Sequence, residues 1–433
     1  MEACCTTMDA FKAMSKSAHK RVLVVSYYWP PSGGGGVQRW LKFAKLLPEF
    51  GWDPIVVTPS NPDVPVTDPS LSRDVHDGVE VWSFPVWEPT RALSKLGLQG
   101  NTSRLGADQS SSPSLASRLV KWVRGNVFVP DARVGWVKPT TRKVLARLRH
   151  EPVDLIVTTG PPHSMHLIGL ALKRATGLPW VADFRDPWST MDYLDDFGLG
   201  PRARRLIAKM ERAVVASADR ILVTSPGALQ EIGLDDATKG AVIPNGWDRD
   251  DFPDNPPAPA SNDKPVLGHF GALYGARNAP ALWSALGESD WVLKAGGQLS
   301  DDVRASMDQS GVELDWKGDL SHAEAIQAMH ACDALVVVHN NSASAKASTP
   351  GKMFECLAAG RPMLVVGPAQ GDLESLCATW GVVFVPHNAP DGPRRIAAWL
   401  HHPSPAPDES FRTSCERHVL AGELAALFNS TIS

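Results

Sequence analysis

The stretch RVLVVSYYWPPSGGGGVQRWLKFAKLLPEF, Arg21 to Phe50, decides the fold. Arg21 to Tyr28 is a short β-branched run that predicts a buried strand. The glycines Gly33 to Gly36 predict a loop, and the amphipathic pattern from Val37 to Phe50 predicts a helix. Strand, glycine loop and helix in that order begin a parallel α/β unit. Outward from it, further strands are expected at Pro54–Thr58, Val79–Phe84, Asp154–Thr159, Trp180–Phe184 and Arg220–Thr224, with helical patterns between several of them.

Between Asp248 and Pro265 the composition turns to Asp, Asn, Ala and Pro (DRDDFPDNPPAPASNDKP), which sustains neither periodicity and predicts a linker over 248–265. Beyond it the alternation restarts. Strands are expected at Val266–Phe270, Trp291–Ala295, Val312–Trp316, Ala334–His339, Pro362–Val366 and Val382–Pro386. Helices are expected at Pro280–Leu286, Asp301–Gln309 and Pro350–Ala359, and Ser321 with Glu324 marks a capping box before a helix ending at Ala331. The fold class is therefore α/β, with two doubly wound, Rossmann-like domains facing a cleft. The expected layout is a disordered N-terminus over 1–20, a first domain over 21–247 and a second over 266–433. Residues 91–138 fit neither sheet and read as an insertion on the first domain, at first polar and Ser-rich, then basic and aromatic around Leu119, Val120, Trp122, Val123, Phe128 and Trp136.

The whole chain has 433 residues, enough for two or three domains with sizeable cores. Its 43 basic and 47 acidic side chains leave a formal charge of -4, which supplies no global attraction to nucleic acid. The six cysteines lack paired metal spacing and read as reduced structural thiols. Met1 to Lys20 has no continuous apolar core of the signal-peptide kind, and no run of about 18 apolar residues occurs, so a cytoplasmic location is expected.

Functional residues of open α/β sheets lie beyond the carboxyl ends of the strands. There, Gly33 to Gly36 let backbone amides approach an anion at the start of the next helix. Arg39 occupies the place of a third dinucleotide-fingerprint glycine, and no Walker lysine follows. A second cluster, TPGKMFECLAAGRP from Thr349 to Pro362, predicts a short helix with Thr349 as N-cap and Pro350 at its first position. Lys352 near its positive end suits a diphosphate, and Glu355 one turn later suits a ribose diol; the competing reading is a plain intrahelical ion pair.

These stretches, with VSYYWPPSGGGGVQRWLKF, GPPHSMHLIGLALKRATGLPWVADFRDPW, VIPNGWDRDDF and HFGALYGARNAP, make the chain resemble glycosyltransferase family 4, the retaining sugar transferases of GT-B architecture, from Arg21 to about Pro386. The resemblance implies a nucleotide-diphosphate sugar as donor substrate on the C-terminal domain, an acceptor on the N-terminal one, and no required cofactor or metal. Carried over by position, Glu355 matches the family's ribose-binding glutamate, Gly34 and Gly36 its glycine loop, and Arg277 its basic residue after the first C-domain strand. Two positions depart from the pattern. Ala347 stands where the family's first glutamate would be, and Asn278, Ala279 and Pro280 follow Arg277 where a second basic residue is usual, with Lys352 as its substitute.

Arg185 and Asp186 stand where many relatives carry His-Asp, and together they suit stabilisation of developing charge better than a nucleophile. His163, after a strand and at a helix start, reads either as a hydrogen-bonding partner of a sugar or acceptor hydroxyl or as a cap; His166 lies one turn on. Asp248 and Asp250 form an Asp-x-Asp pattern in the hinge, where no metal is expected. The leading expectation is transfer to a sugar or lipid-linked acceptor in surface-polysaccharide or glycolipid assembly, and the insertion reads either as a surface loop folded back on the first domain or as a patch in peripheral contact with the inner membrane face or the acceptor. A sugar-nucleotide epimerase and a noncatalytic partner subunit are the alternatives.

Overall fold

The computed structural model describes residues 19–64, 66–88, 122–191, 194, 197–234, 238–253 and 263–433. The expected disordered terminus falls outside them up to residue 18, and Lys20 already belongs to the first strand. Seven parallel strands form the first sheet: β1 (Lys20–Val25), β2 (Trp52–Pro59), β3 (Glu80–Phe84), β4 (Leu155–Gly160), β5 (Trp180–Phe184), β6 (Arg220–Val223) and β7 (Gly240–Val242). Their order is β3-β2-β1-β4-β5-β6-β7. The second sheet contains β8 (Val266–Phe270), β9 (Val292–Gly296), β10 (Leu314–Trp316), β11 (Ala334–Val338), β12 (Met363–Gly367) and β13 (Val383–Pro386), ordered β10-β9-β8-β11-β12-β13. In both sheets the strand order reverses beside the first strand, which opens a crevice at the carboxyl ends.

Period-two burial explains why these runs are strands. Leu23 and Val25 enter the core on one face of the first sheet and Val22 and Val24 the core on the other, so both faces carry helices. The second sheet divides likewise: Leu335 and Val337 pack on one side, Ala334, Val336 and Val338 on the other. Ser321 and Glu324 form the expected capping box.

Four expectations need correction. The strand from Arg21 stops at Val25, because the chain then turns into the cleft. Strand β7 lies in a short stretch whose weak pattern hid it. Thr349 does not cap the helix Gly351–Ala358; Pro350 holds the cap position, and no side chain closes the end. The second domain does not extend to residue 433. The helix Arg417–Ile432 returns to the first sheet, where Leu420, Ala421, Leu424, Ala425 and Phe428 form one stripe against Val22, Val24 and Trp52. This crossing is fastened by Trp247 N–H to the Cys415 carbonyl (3.0 Å) and Arg417 N–H to the Trp247 carbonyl (2.7 Å).

Residues 254–262 of the expected linker and 89–121 around the insertion lie outside the described residues. Residues 122–138 pack on the first domain. Val129 and Trp136 are core residues, and Asp131 accepts from the Ser164 amide and hydroxyl, each at 2.8 Å. Among the described residues no helix is long and apolar enough to cross a membrane.

Candidate active site in the interdomain cleft

A cavity of about 390 Å³ lies between the two sheets. Its first-domain wall comprises Tyr28 after β1, the loop Gly33–Gly36, Val66, Pro161 after β4, Arg185 and Asp186 after β5, Thr224 after β6 and Asn245 after β7; Ser348 and Thr349 supply the opposite wall. The helix Gly35–Leu46 starts in the glycine loop with Gly34 at φ +86°, no side-chain cap and no acidic residue in its first turn. Opposite, the helix Gly351–Ala358 also starts without a side-chain cap or an acidic first turn. The first helix thus opens on the cavity and the second starts two residues after Thr349 of its wall, so both helix dipoles favour an anion between them.

Beneath the glycine loop lies a buried polar cluster. Asp183 accepts from Trp40 Nε1 (2.6 Å), Thr159 Oγ1 (2.8 Å) and Arg39 Nη2 (3.2 Å), and Arg39 Nη1 reaches the Pro244 carbonyl (2.9 Å). Arg39 and Asp183 are almost wholly buried, so neither charge has water as an alternative partner. The arginine in place of a third glycine therefore anchors the loop helix to β5.

Arg185 stands at the end of that strand. Its Nη1 donates to the Gly36 carbonyl (2.7 Å), Nη2 to the Pro161 carbonyl (2.6 Å) and Nε to the Gly160 carbonyl (3.3 Å). The guanidinium binds the glycine loop to the turn after β4 while still lining the cavity, an engagement that residue spacing did not reveal. Asp186 beside it is half-buried and makes no side-chain hydrogen bond to a described residue. Burial raises its carboxyl above the ordinary value, with Arg185 opposing and Asp183 adding to the rise.

His163 caps the next helix by position only, with no side-chain bond. It lies 3 % exposed behind Pro161, stacked on Trp188 at 5.0 Å, and does not line the cavity. Among the described residues both its ring nitrogens lack partners, and burial keeps its pKa well below the ordinary value, so the ring is neutral. His166 stacks on Phe184 and shares a 2.9 Å hydrogen bond with Thr158; burial lowers its pKa to about 3.

On the C-terminal side Arg277 is positioned by Asn340, whose Oδ1 accepts its Nε at 2.7 Å and the Tyr274 hydroxyl at 3.1 Å. Glu355 touches Lys352 Nζ at 2.6 Å and His322 Nε2 at 3.2 Å. Burial pushes its carboxyl up, but these two partners outweigh burial and hold it at about 2. The intrahelical pair is present, with a histidine added. Ala347 is buried, and its carbonyl accepts from Ser225 Oγ at 2.7 Å, so this position joins the two domains.

The Asp-x-Asp pattern is engaged by cations. Lys42 Nζ contacts Asp248 (2.7 Å), Asp251 (2.9 Å) and Asp74 (2.9 Å), and Lys45 contacts Asp250 (2.6 Å). Tyr28, Thr224, Asn245 and Ser348 are cavity residues that sequence reasoning did not single out. Tyr28 and Asn245 lay within stretches already singled out, and only their positions after β1 and β7 could have marked them.

Twin doubly wound sheets closing on such a cavity define the GT-B class. Residues 34–246 match the glycosyltransferase 4-like domain family, so the chain carries a glycosyltransferase 4-like domain. No curated protein matches the sequence. Among solved structures the fold is similar to the sucrose-phosphate synthase of Thermosynechococcus elongatus (14 % identity, TM-score 0.61, covering 95 % of this chain and 98 % of that one). It is also similar to Anabaena HepE in complex with UDP and glucose (15 %, 0.56, 96 % and 97 %). A third is WaaG, a glycosyltransferase involved in lipopolysaccharide biosynthesis (15 %, 0.52, 94 % and 95 %).

Proposed function

We propose that the protein transfers a hexose-type sugar from a nucleotide-diphosphate sugar to an acceptor hydroxyl, with retention, in surface-polysaccharide or glycolipid assembly. The observation that carries this reading is a cavity onto which one uncapped helix opens at Gly35, with a second uncapped helix, from the other domain, starting two residues beyond its wall at Thr349. A diphosphate between them receives N–H groups and two helix dipoles, and the same groups stabilise the charge that develops as the glycosidic bond breaks. Arg277 and Lys352 add positive potential on the C-terminal side, and Glu355 exchanges its cationic partners for ribose hydroxyls. Asp186, on the cavity wall, serves beside the oxocarbenium-like carbon, while the leaving phosphate takes the acceptor proton. Arg185 holds the glycine loop, and His163 supports the turn behind Pro161.

Because HepE was crystallised with UDP-glucose, uridine donors come first in the test. Incubation with labelled uridine, guanosine and adenosine diphosphate sugars is expected to release the nucleoside diphosphate from one of them. An epimerised donor would move the reading to an epimerase, and binding without any turnover to a noncatalytic subunit.

Activity is expected to persist in EDTA. The cations already named neutralise the diphosphate, and Asp248 and Asp250 are held by Lys42 and Lys45. Loss of turnover in chelator, restored by magnesium or manganese, would overturn this.

Trp87, Trp122 and Val127 are exposed at 64, 50 and 60 %, and Trp87 lies 6.4 Å from Phe128. Arg118, Leu119, Val120 and Lys121, which precede Trp122 in the basic and aromatic part of the insertion, are outside the described residues. Arg133, also in this basic stretch, contacts Glu88 at 3.4 Å and covers the Tyr27 ring. The exposed aromatics support peripheral docking on a membrane. Co-sedimentation with anionic vesicles is expected to fall with salt and to drop several-fold in Trp87→Ala with Trp122→Ala. Equal partitioning of variant and wild type would favour a soluble acceptor.

A further inference from the structure

We propose that Ser225 and Gly227 of the first domain and Asp372 of the second are positioning residues, which clasp the two domains together and so set the width of the cleft for sugar transfer. The inference rests on the transferase reading and adds to it the contact that holds the cavity walls at their working distance. Thr224 lines the cavity from the first domain and Ser348 from the second. Their immediate neighbours are joined directly, since Ser225 Oγ donates to the Ala347 carbonyl at 2.7 Å. Two residues further on, the Gly227 amide donates to Asp372 Oδ2, also at 2.7 Å.

Ser225 is the N-cap residue of the short helix Pro226–Glu231 and has the extended backbone of a cap (φ −153°, ψ 155°), yet its hydroxyl makes no bond within that helix. The hydroxyl crosses to the second domain, and a carboxylate from there takes up the Gly227 N–H that a cap would otherwise serve. Gly227 shows the same dependence sterically. A Cβ there would lie 2.7 Å from Asp372 Oδ2 and 3.1 Å from Ala347 Cα, and its three nearest atoms all belong to the second domain. Its φ lies outside the left-handed region, so the helix itself would accept alanine, and it is the opposite domain that leaves no room for a methyl group. On the second-domain side, a Cβ at Gly371 would lie 2.8 Å from the Lys346 carbonyl oxygen. Asp372 and Ala347 are therefore packed as one support, and Ser348 and Thr349 of the cavity wall follow directly from it.

The test uses the full chain and the variant Gly227→Ala, whose added methyl group suits its own helix and strikes only the other domain. Small-angle X-ray scattering of the free protein is expected to give a larger radius of gyration for Gly227→Ala than for wild type, with far-UV circular dichroism unchanged. Asp372→Ala removes two of the three atoms that the methyl group meets, so Gly227→Ala with Asp372→Ala is expected to be no more expanded than Asp372→Ala alone. Release of nucleoside diphosphate from the labelled donor is expected to fall about ten-fold in Gly227→Ala, the equivalent of one hydrogen bond lost from the assembled site. Equal radii for wild type and Gly227→Ala would overturn the clasp, as would strictly additive expansion in the double variant. Undiminished turnover in an expanded Gly227→Ala would overturn the positioning role. Failure of wild type to bind any nucleoside diphosphate, with the radii still different, would remove the transferase reading and leave the clasp supported.

Discussion

Asp183→Asn is expected to destabilise the first domain by about 3–5 kcal/mol, the usual cost of removing one partner from a buried ion pair. The carboxylate neutralises Arg39 and accepts from Trp40 and Thr159 in a site closed to water. Asparagine keeps the shape but leaves the guanidinium charge without a counter-ion, and it presents an NH₂ group to at least one existing donor. The consequence reaches the cleft, since the same helix carries the glycine loop. Urea denaturation followed by tryptophan fluorescence measures the loss. Adding Arg39→Met to Asp183→Asn should recover part of it, because the uncompensated charge is then gone. A loss below about 1 kcal/mol in the single variant would show that water reaches the cluster.

Glu355→Ala is expected to weaken UDP binding about ten- to hundred-fold, matching the loss of charge-assisted hydrogen bonds worth about 1.5–3 kcal/mol. Calorimetry on folded variant decides between the two roles of this carboxylate. Unchanged affinity would leave the contacts with Lys352 and His322 as its whole purpose. Glu355→Gln adds a pH signature. The folded carboxyl sits at about 2 against an ordinary 4.5, so the stabilisation it provides is complete above pH about 4.5 and disappears as pH falls through about 2. The stability difference between wild type and Glu355→Gln should therefore shrink between pH 5 and pH 3. A constant difference would mean that the ion pairs do not carry the shift.

The alternation of β-branched runs with amphipathic helices was legible because strand period and helix period are local properties. Most strands of both sheets were found in this way, as was the capping box at Ser321. The last helix was missed as part of the first domain because nothing in the spacing of Leu420, Leu424 and Phe428 states which sheet they cover. Arg185 was read as a group facing the reaction, since three carbonyl partners at Gly36, Gly160 and Pro161 are remote or invisible in sequence. The cationic partners of Asp248 and Asp250 on the first helix, Lys42 and Lys45, could not be seen in the sequence.

By itself the sequence determined the fold class, the glycine loop and a short helix beginning near Pro350, and it offered the pairing of Lys352 with Glu355 as one of two readings, because each rests on local patterns of neighbouring residues. Only the tertiary structure decided what those segments face. Bringing Gly34 and Thr349 onto one cavity and burying Asp183 against Arg39 both depend on contacts between distant parts of the chain. Such contacts are selected by the packing of two sheets and a returning helix, a property of the whole folded chain rather than of any window of residues.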